Sequence, residues 1–304
     1  MFAAPIDIPA EVFAALPQRL HRTGQAAPWL RDHLRGAQRH SLLEGPAFDR
    51  EGRLYLVDIP YGRVFRLSAA AEWEVVAEYG GEPNGLRIHR DGRIFIADNS
   101  RGLMQLDPRS GTVHCLFEGF RHERFKGLND LAFAPDGTLY FTDQGQSGLD
   151  DPSGCLYRCT TAGALERLLD NIPSPNGVAV SADGATVFVA ATRANAVWRV
   201  PLMQDGRPHK AGVFVQLSGG VGPDGIALTE DGGLAVAHIG LGSIWIFDAQ
   251  GEPLFRVRSP LGRSTTNIAF GGPQRRDLYI TEAESGSVLR AQLPVAGLRP
   301  FSHS

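Results

Sequence analysis

Apolar residues in this chain gather in short runs rich in β-branched and aromatic side chains. Examples are RIFIAD (93–98), TLYFTD (138–143) and TVFVAA (186–191). Such runs predict strands rather than helices. Each follows an Asp-Gly pair a few residues upstream, at 91–92, 136–137 and 183–184, which predicts a hairpin turn into it. After a further turn a third apolar run appears, as in GRVFRL (62–67), AVWRV (196–200) and SIWIFD (243–248). A fourth strand is expected in EWEVVAEY, GTVHCLFE, ERLLD and PHKAGVFVQL. No long amphipathic helix interrupts the series between residues 44 and 294.

The pattern recurs. Segments beginning at Glu44, Asn84, Asn129, Asn176, Asp224 and Asn267 share one plan, with their first residues 40 to 48 positions apart. That period holds four short strands, and sheets of this size bury their faces only by stacking on one another. The expected fold is therefore all-β, a six-bladed β-propeller with an N-terminal arm. Residues 1–40 form the arm and 41–304 the single propeller domain. A β-sandwich would not need this self-similarity. Within the arm, AEVFAALPQRL and PWLRDHLRG are expected as short helices, and the arm is expected to pack on the propeller or to supply a closing strand.

Composition narrows the function classes. The 304 residues are 43% hydrophobic, ample for a core, and the net charge of −3 gives no electrostatic footprint for nucleic acid or an anionic membrane. No 18-residue apolar run suggests a membrane helix, and MFAAPIDIPAEVF lacks the layout of a secretory signal. The three cysteines, Cys115, Cys155 and Cys159, form no CxxC pair, so a reducing cytoplasm is expected.

The first residue of every repeat is a carboxylate or a carboxamide. In a propeller the strand that opens a repeat is the innermost, so these six side chains are expected to meet around the central channel. Carboxylates crowded in a narrow channel repel and lose solvation, and a divalent cation relieves both effects. Oxygen donors without a Cys or His cluster suit Ca²⁺, Mg²⁺ or Mn²⁺ better than a zinc site. The competing reading is that Asn-Gly and Asp-Gly, including Pro223-Asp224-Gly225, only mark turns. Glu44 speaks against it, because Glu is a poor turn former.

At these residues the chain resembles the SMP-30/gluconolactonase/LRE propellers over about residues 41 to 292. The resemblance rests on LLEGPAFD with LVDIPYGRVFRL, LNDLAFAPDGTLYFTD, SPNGVAVSADGATVFVA, GPDGIAL and TTNIAFGGPQRRDLYIT. It implies one divalent metal in the channel, Ca²⁺ first and Mg²⁺, Mn²⁺ or Zn²⁺ as alternatives, held by Glu44, Asn176 and Asp224 with Asn129 as a further ligand or substrate contact. It also implies a hydrolase that opens a small-molecule lactone, the metal polarising the carbonyl and Asp224 orienting or activating water. The animal members carry an arginine two residues before the asparagine of the ND motif; here that position is Gly127, which loosens the expectation of a sugar lactone. Asn84 is extra and stands as substrate contact, outer ligand or turn residue.

Tyr61, Phe125 and His238 are candidate substrate contacts from loops or strand ends, each against an ordinary packing role. Asp58, Asp98 and Asp143 end equivalent strands, which argues for structural hydrogen bonding. Loop 144–153 is expected as a rim or lid. Serines lack a GxSxG context, which disfavours a serine hydrolase. Rival readings are an organophosphate hydrolase built on the same site, a non-enzymatic propeller that binds a partner on its face, and a metal-free strictosidine-synthase-like propeller.

Overall fold

The computed structural model describes residues 4–23 and 27–304. Six antiparallel sheets stand side by side, with innermost strands Leu43–Phe48, Pro83–Ile88, Leu128–Phe133, Pro175–Val180, Gly222–Leu228 and Thr265–Gly271. We number the blades 1 to 6 in that order. Blade 1 shows why the repeat folds this way. Its strands Leu43–Phe48, Leu54–Asp58, Arg63–Leu67 and Trp73–Glu78 pair in chain order. Between the first two, the Asp49 carboxylate accepts the Glu51 and Arg53 backbone N–H groups, and Gly52 supplies a left-handed φ of 75°. The three inner strands are buried on both faces between neighbouring blades. One shared cluster, for example, joins Ala47, Tyr55 and Val57 of blade 1 to Leu86, Ile94 and Ile96 of blade 2. The fold is the six-bladed propeller expected from the period.

Blades 5 and 6 depart from the plan, and the arm completes both. Blade 6 takes only three strands from the C-terminal repeat; its outermost strand, Glu11–Ala15, pairs antiparallel with Ser287–Gln292. Ile6–Pro9 adds a fifth strand to blade 5, parallel to Pro253–Arg258. AEVFAALPQRL is therefore not a helix. Its first half is strand and Gln18–Leu20 is a single 3₁₀ turn. The free edge of Ser287–Gln292 offers a ladder that outweighs local helix propensity, and Glu11 adds an ion pair to Arg290. Pro28–His33 does form the expected helix, with Pro28 at its first position. None of the helices described is long and apolar enough to cross a membrane.

The ends of the second strands show what their repeated acids do. Asp58 accepts the Leu42 N–H, Asp98 the Glu82 and Ser100 N–H groups, and Asp143 the Lys126 and Gly127 N–H groups. Each carboxylate thus ties down the backbone of a connection at the same end of its blade. Asp58 also pairs with Arg63, and both side chains are almost fully buried. Arg63 in turn donates to the Leu20 carbonyl, fixing the arm to blade 1. Arg63→Met should leave Asp58 as an uncompensated buried charge and destabilise the fold by about 3–5 kcal/mol. Urea denaturation checks this; a loss below about 1 kcal/mol would show that the pair contributes little.

Candidate active site

Every innermost strand breaks register at its lead residue. The shifts fall between Glu44 and Ala47, Pro83 and Gly85, Leu128 and Leu131, Pro175 and Val178, Pro223 and Ile226, and Thr265 and Ile268. Such an irregularity re-aims a side chain that regular pleating would send into the gap between blades. Pro223-Asp224-Gly225 accordingly lies inside the strand Gly222–Leu228 and is no turn. Glycine follows the lead residue for a packing reason. A Cβ on Gly85 would stand 2.6 Å from the Asn129 carbonyl oxygen, because adjacent inner strands converge there.

The six lead side chains are nearly sealed from solvent: Glu44, Asn84, Asn129, Asn176 and Asp224 are 4–7% exposed and Asn267 1%. Asn267 reaches across from blade 6 and donates through Nδ2 to Glu44 Oε2 at 2.8 Å. Asn129 Nδ2 donates to Gln144 Oε1 at 3.1 Å, and Gln144 Nε2 donates to Ser174 Oγ at 2.9 Å, which orients the amide of blade 3. Asn176 Oδ1 is buried and has no hydrogen-bond partner among the described residues.

Electrostatics make this hub unfavourable as it stands. Burial, and then the nearby charge of Asp130, push the Glu44 carboxyl up to about 8. Asp224 is driven well above the ordinary carboxylate range, first by burial and then by the charge of Glu44, while a hydrogen bond from Asn176 pulls it back. Asp224 feels the charge of Glu44, and both feel that of Asp130, so the three share one small region of the channel. Among the described residues no three His, Cys, Asp or Glu side chains group as a ready-made metal cage. The donor set instead mixes two carboxylates with carboxamide oxygens, one of them orphaned. That chemistry fits a hard, oxygen-seeking cation.

Asp130 is the functional candidate that sequence reasoning missed. It is fully buried, burial raises its pKa, and Arg87 Nη2 of blade 2 approaches its Oδ2 at 3.4 Å. The signal lay in the ND pair of LNDLAF, where the lead position drew attention to Asn129 alone. A strand of regular period would have sent its neighbour to the opposite face.

The other predicted contacts each have partners of their own. His238 Nδ1 accepts from Trp245 Nε1 at 3.2 Å, so its Nε2 carries the proton donated to the Gly219 carbonyl at 2.9 Å; both ring nitrogens are occupied. Tyr61 donates its hydroxyl to the Arg39 carbonyl, on the arm. Phe125 packs edge-on against Phe141 and Tyr157 within blade 3. Gly127, where an arginine was absent, has φ 153°, and a Cβ there would stand 2.6 Å from Asn99 Oδ1. The local backbone thus resists any side chain at that position. Loop 144–153 lies at the site end of blade 3, where Gln146 Nε2 stands 3.1 Å from His33 Nε2 of the arm helix.

The chain matches the model of the SMP-30/gluconolactonase/LRE-like region over residues 42–284. Among curated relatives, the lactonase drp35 of Staphylococcus aureus strain MRSA252 is 28% identical over 250 residues, covering 79% of this chain and 75% of the relative. Among solved structures, regucalcin from Agrobacterium tumefaciens strain C58, described as a calcium-binding protein, superposes with a TM-score of 0.77 at 23% identity. That match covers 99% of this chain and 100% of regucalcin. The gluconolactonase XC5397 of Xanthomonas campestris gives 0.74 at 24% identity, covering 84% and 86%. At these identities the two structures speak for the fold. With the family model spanning the repeats from the first inner strand into the last blade, the chain belongs to the SMP-30/gluconolactonase/LRE-like family.

Proposed function

We propose that this protein is a metal-dependent lactonase, hydrolysing a cyclic ester to the open hydroxy acid. The observation that carries the reading is the hub itself: Glu44 and Asp224, two buried carboxylates both pushed up in pKa, Asp224 in part by the charge of Glu44, beside the unpartnered Asn176 Oδ1. Glu44, Asn176 and Asp224 would hold a divalent cation there, with Asn129 as a further ligand or as a contact to the substrate. Bound in that position, the cation supplies Lewis-acid polarisation of the lactone carbonyl.

The rest of the chemistry belongs to the chain's own side chains. Asp224 holds the attacking water and takes its proton as the oxygen bonds to the carbonyl carbon. The ring C–O bond then breaks, and the proton held on Asp224 passes to the departing alkoxide oxygen, giving a carboxylic acid and a hydroxyl. Asn129, braced by Gln144, and Asn84 orient the ring, while the near-complete burial of the hub excludes bulk water. The relatives named lactonase and gluconolactonase support the same bond class. Free thiols at Cys115, Cys155 and Cys159 agree with a reducing compartment.

Acid release from a panel of γ-, δ- and aromatic lactones tests the proposal, with a phosphotriester alongside. Turnover of at least one lactone is expected, lost after chelation and restored by Ca²⁺, Mn²⁺, Mg²⁺ or Zn²⁺. Full activity after verified ion removal would defeat the metal role, and phosphotriester turnover without lactone turnover would defeat the lactonase reading.

A further inference from the structure

The mouth above the hub is lopsided. On one side the arm crosses it: Trp29 and Leu30 of the helix pack in one cluster with Leu42 and Ile59 of blade 1 and Ala283 of blade 6. His33 at the end of the same helix meets Gln146 of blade 3. Polar groups line the blade 3 part of that side, with Gln144, Ser147 and Ser174 joined by hydrogen bonds.

The side formed by blade 5 and its neighbour is different. Val221, Leu241 and Leu261 are 41%, 39% and 47% exposed. They come from three successive connections at the site end of the molecule, and the backbone draws those connections together. Val221 N donates to the Ile239 carbonyl at 2.9 Å, and Gly240 N and Gly242 N both donate to the Arg263 carbonyl, at 2.8 and 3.0 Å. A Cβ on Gly240 would stand 3.2 Å from Val221 Cγ2, and one on Gly219 4.0 Å from Leu241 Cδ2. The patch borders the mouth on the side of blade 5, because Val221 directly precedes the strand that carries Asp224. The one histidine beneath it, His238, has both nitrogens engaged and offers no free donor.

We infer that Val221, Leu241 and Leu261 form an aliphatic rim that seats the alkyl tail of the substrate, so that the preferred lactone is alkyl-substituted rather than a sugar lactone. This rests on the lactonase reading and narrows it. A ring held at the hub by Asn129 and Asn84 would direct a hydrocarbon substituent across blade 5, where water is displaced from apolar surface. A polyol laid over the Val221, Leu241 and Leu261 side chains would give up water without gaining partners from them.

The test is a series of γ-lactones of four to ten carbons, with glucono-δ-lactone as the polar comparison, assayed on calcium-loaded protein. kcat/KM should climb by up to about fourfold per added methylene. In Leu241→Ser and in the Val221→Ser/Leu241→Ser double variant, the ratio of long-chain to short-chain kcat/KM should fall by about tenfold or more. Calorimetric binding of the corresponding alkyl lactams, which resist opening, supplies a readout independent of turnover. A profile flat in chain length, or a preference for glucono-δ-lactone, would overturn the rim. So would light scattering showing that Leu241→Ser splits a dimer while the chain-length profile stands. Tail-dependent lactam binding without turnover of any lactone would keep the rim and sink the lactonase reading; flat lactam binding would sink the rim whatever the turnover.

Discussion

Asp224→Asn is expected to lower kcat for lactone opening by about a thousandfold, the scale on which a positioned base acts, while making the ion-free protein more stable. The two effects share one cause. In the ion-free fold Asp224 is buried beside Glu44 and Asp130, and burial and both charges drive its pKa up. An amide of the same shape removes that repulsion and keeps a polar group opposite Asn176. Function is then bought at the expense of stability, a pattern common where catalytic groups are crowded. Steady-state kinetics with calcium and thermal melts in chelator measure both quantities. A variant that keeps near-native turnover with the ion bound would exclude Asp224 as the base. One that melts earlier than the parent in chelator would show that the carboxylate is not strained.

Glu44→Gln should weaken cation affinity by about a hundredfold or more and erase a characteristic pH dependence. In the ion-free fold burial and the charge of Asp130 push the Glu44 carboxyl from its ordinary value of 4.5 up to about 8. Between those values the folded protein keeps a proton that the unfolded chain has lost. The stability of the ion-free protein therefore falls as pH rises through that window, by up to about 1.4 kcal/mol per pH unit for one proton. Below 4.5 both states are protonated and the term vanishes. Cation binding requires the carboxylate, so binding releases protons in the same window and calcium should protect more at pH 8 than at pH 5. Urea midpoints with chelator and with calcium at pH 5, 6, 7 and 8 report this. Equal calcium protection across the series would rule out Glu44 as a ligand.

Much of the site was legible because it repeats. Five amides and acids besides Glu44 recur at the head of six similar segments, and the structure brings all six to near-complete burial at one end of the inner strands. Their neighbours were harder to read. Asp130 sits one position beyond a lead residue, and only the register break between Leu128 and Leu131 places its charge where Glu44 and Asp224 feel it. Pro223-Asp224-Gly225 has the composition of a turn, yet its glycine serves the close approach of the Asn267 strand. His238 looked available at a strand end, and Trp245, seven residues away on the paired strand, occupies it.

Sequence alone determined the blade, its count and the residue types at the head of each inner strand, since strand period, turn residues and the 40-to-48 spacing are local properties written within each repeat. Only the tertiary structure decided how the ring closes, what Glu11–Ala15 becomes and which carboxylates suffer one another's charge. Those outcomes depend on groups far apart in the chain. An open sheet edge at Ser287–Gln292 can recruit a segment of helical composition, and Coulomb repulsion follows distance in space rather than in sequence.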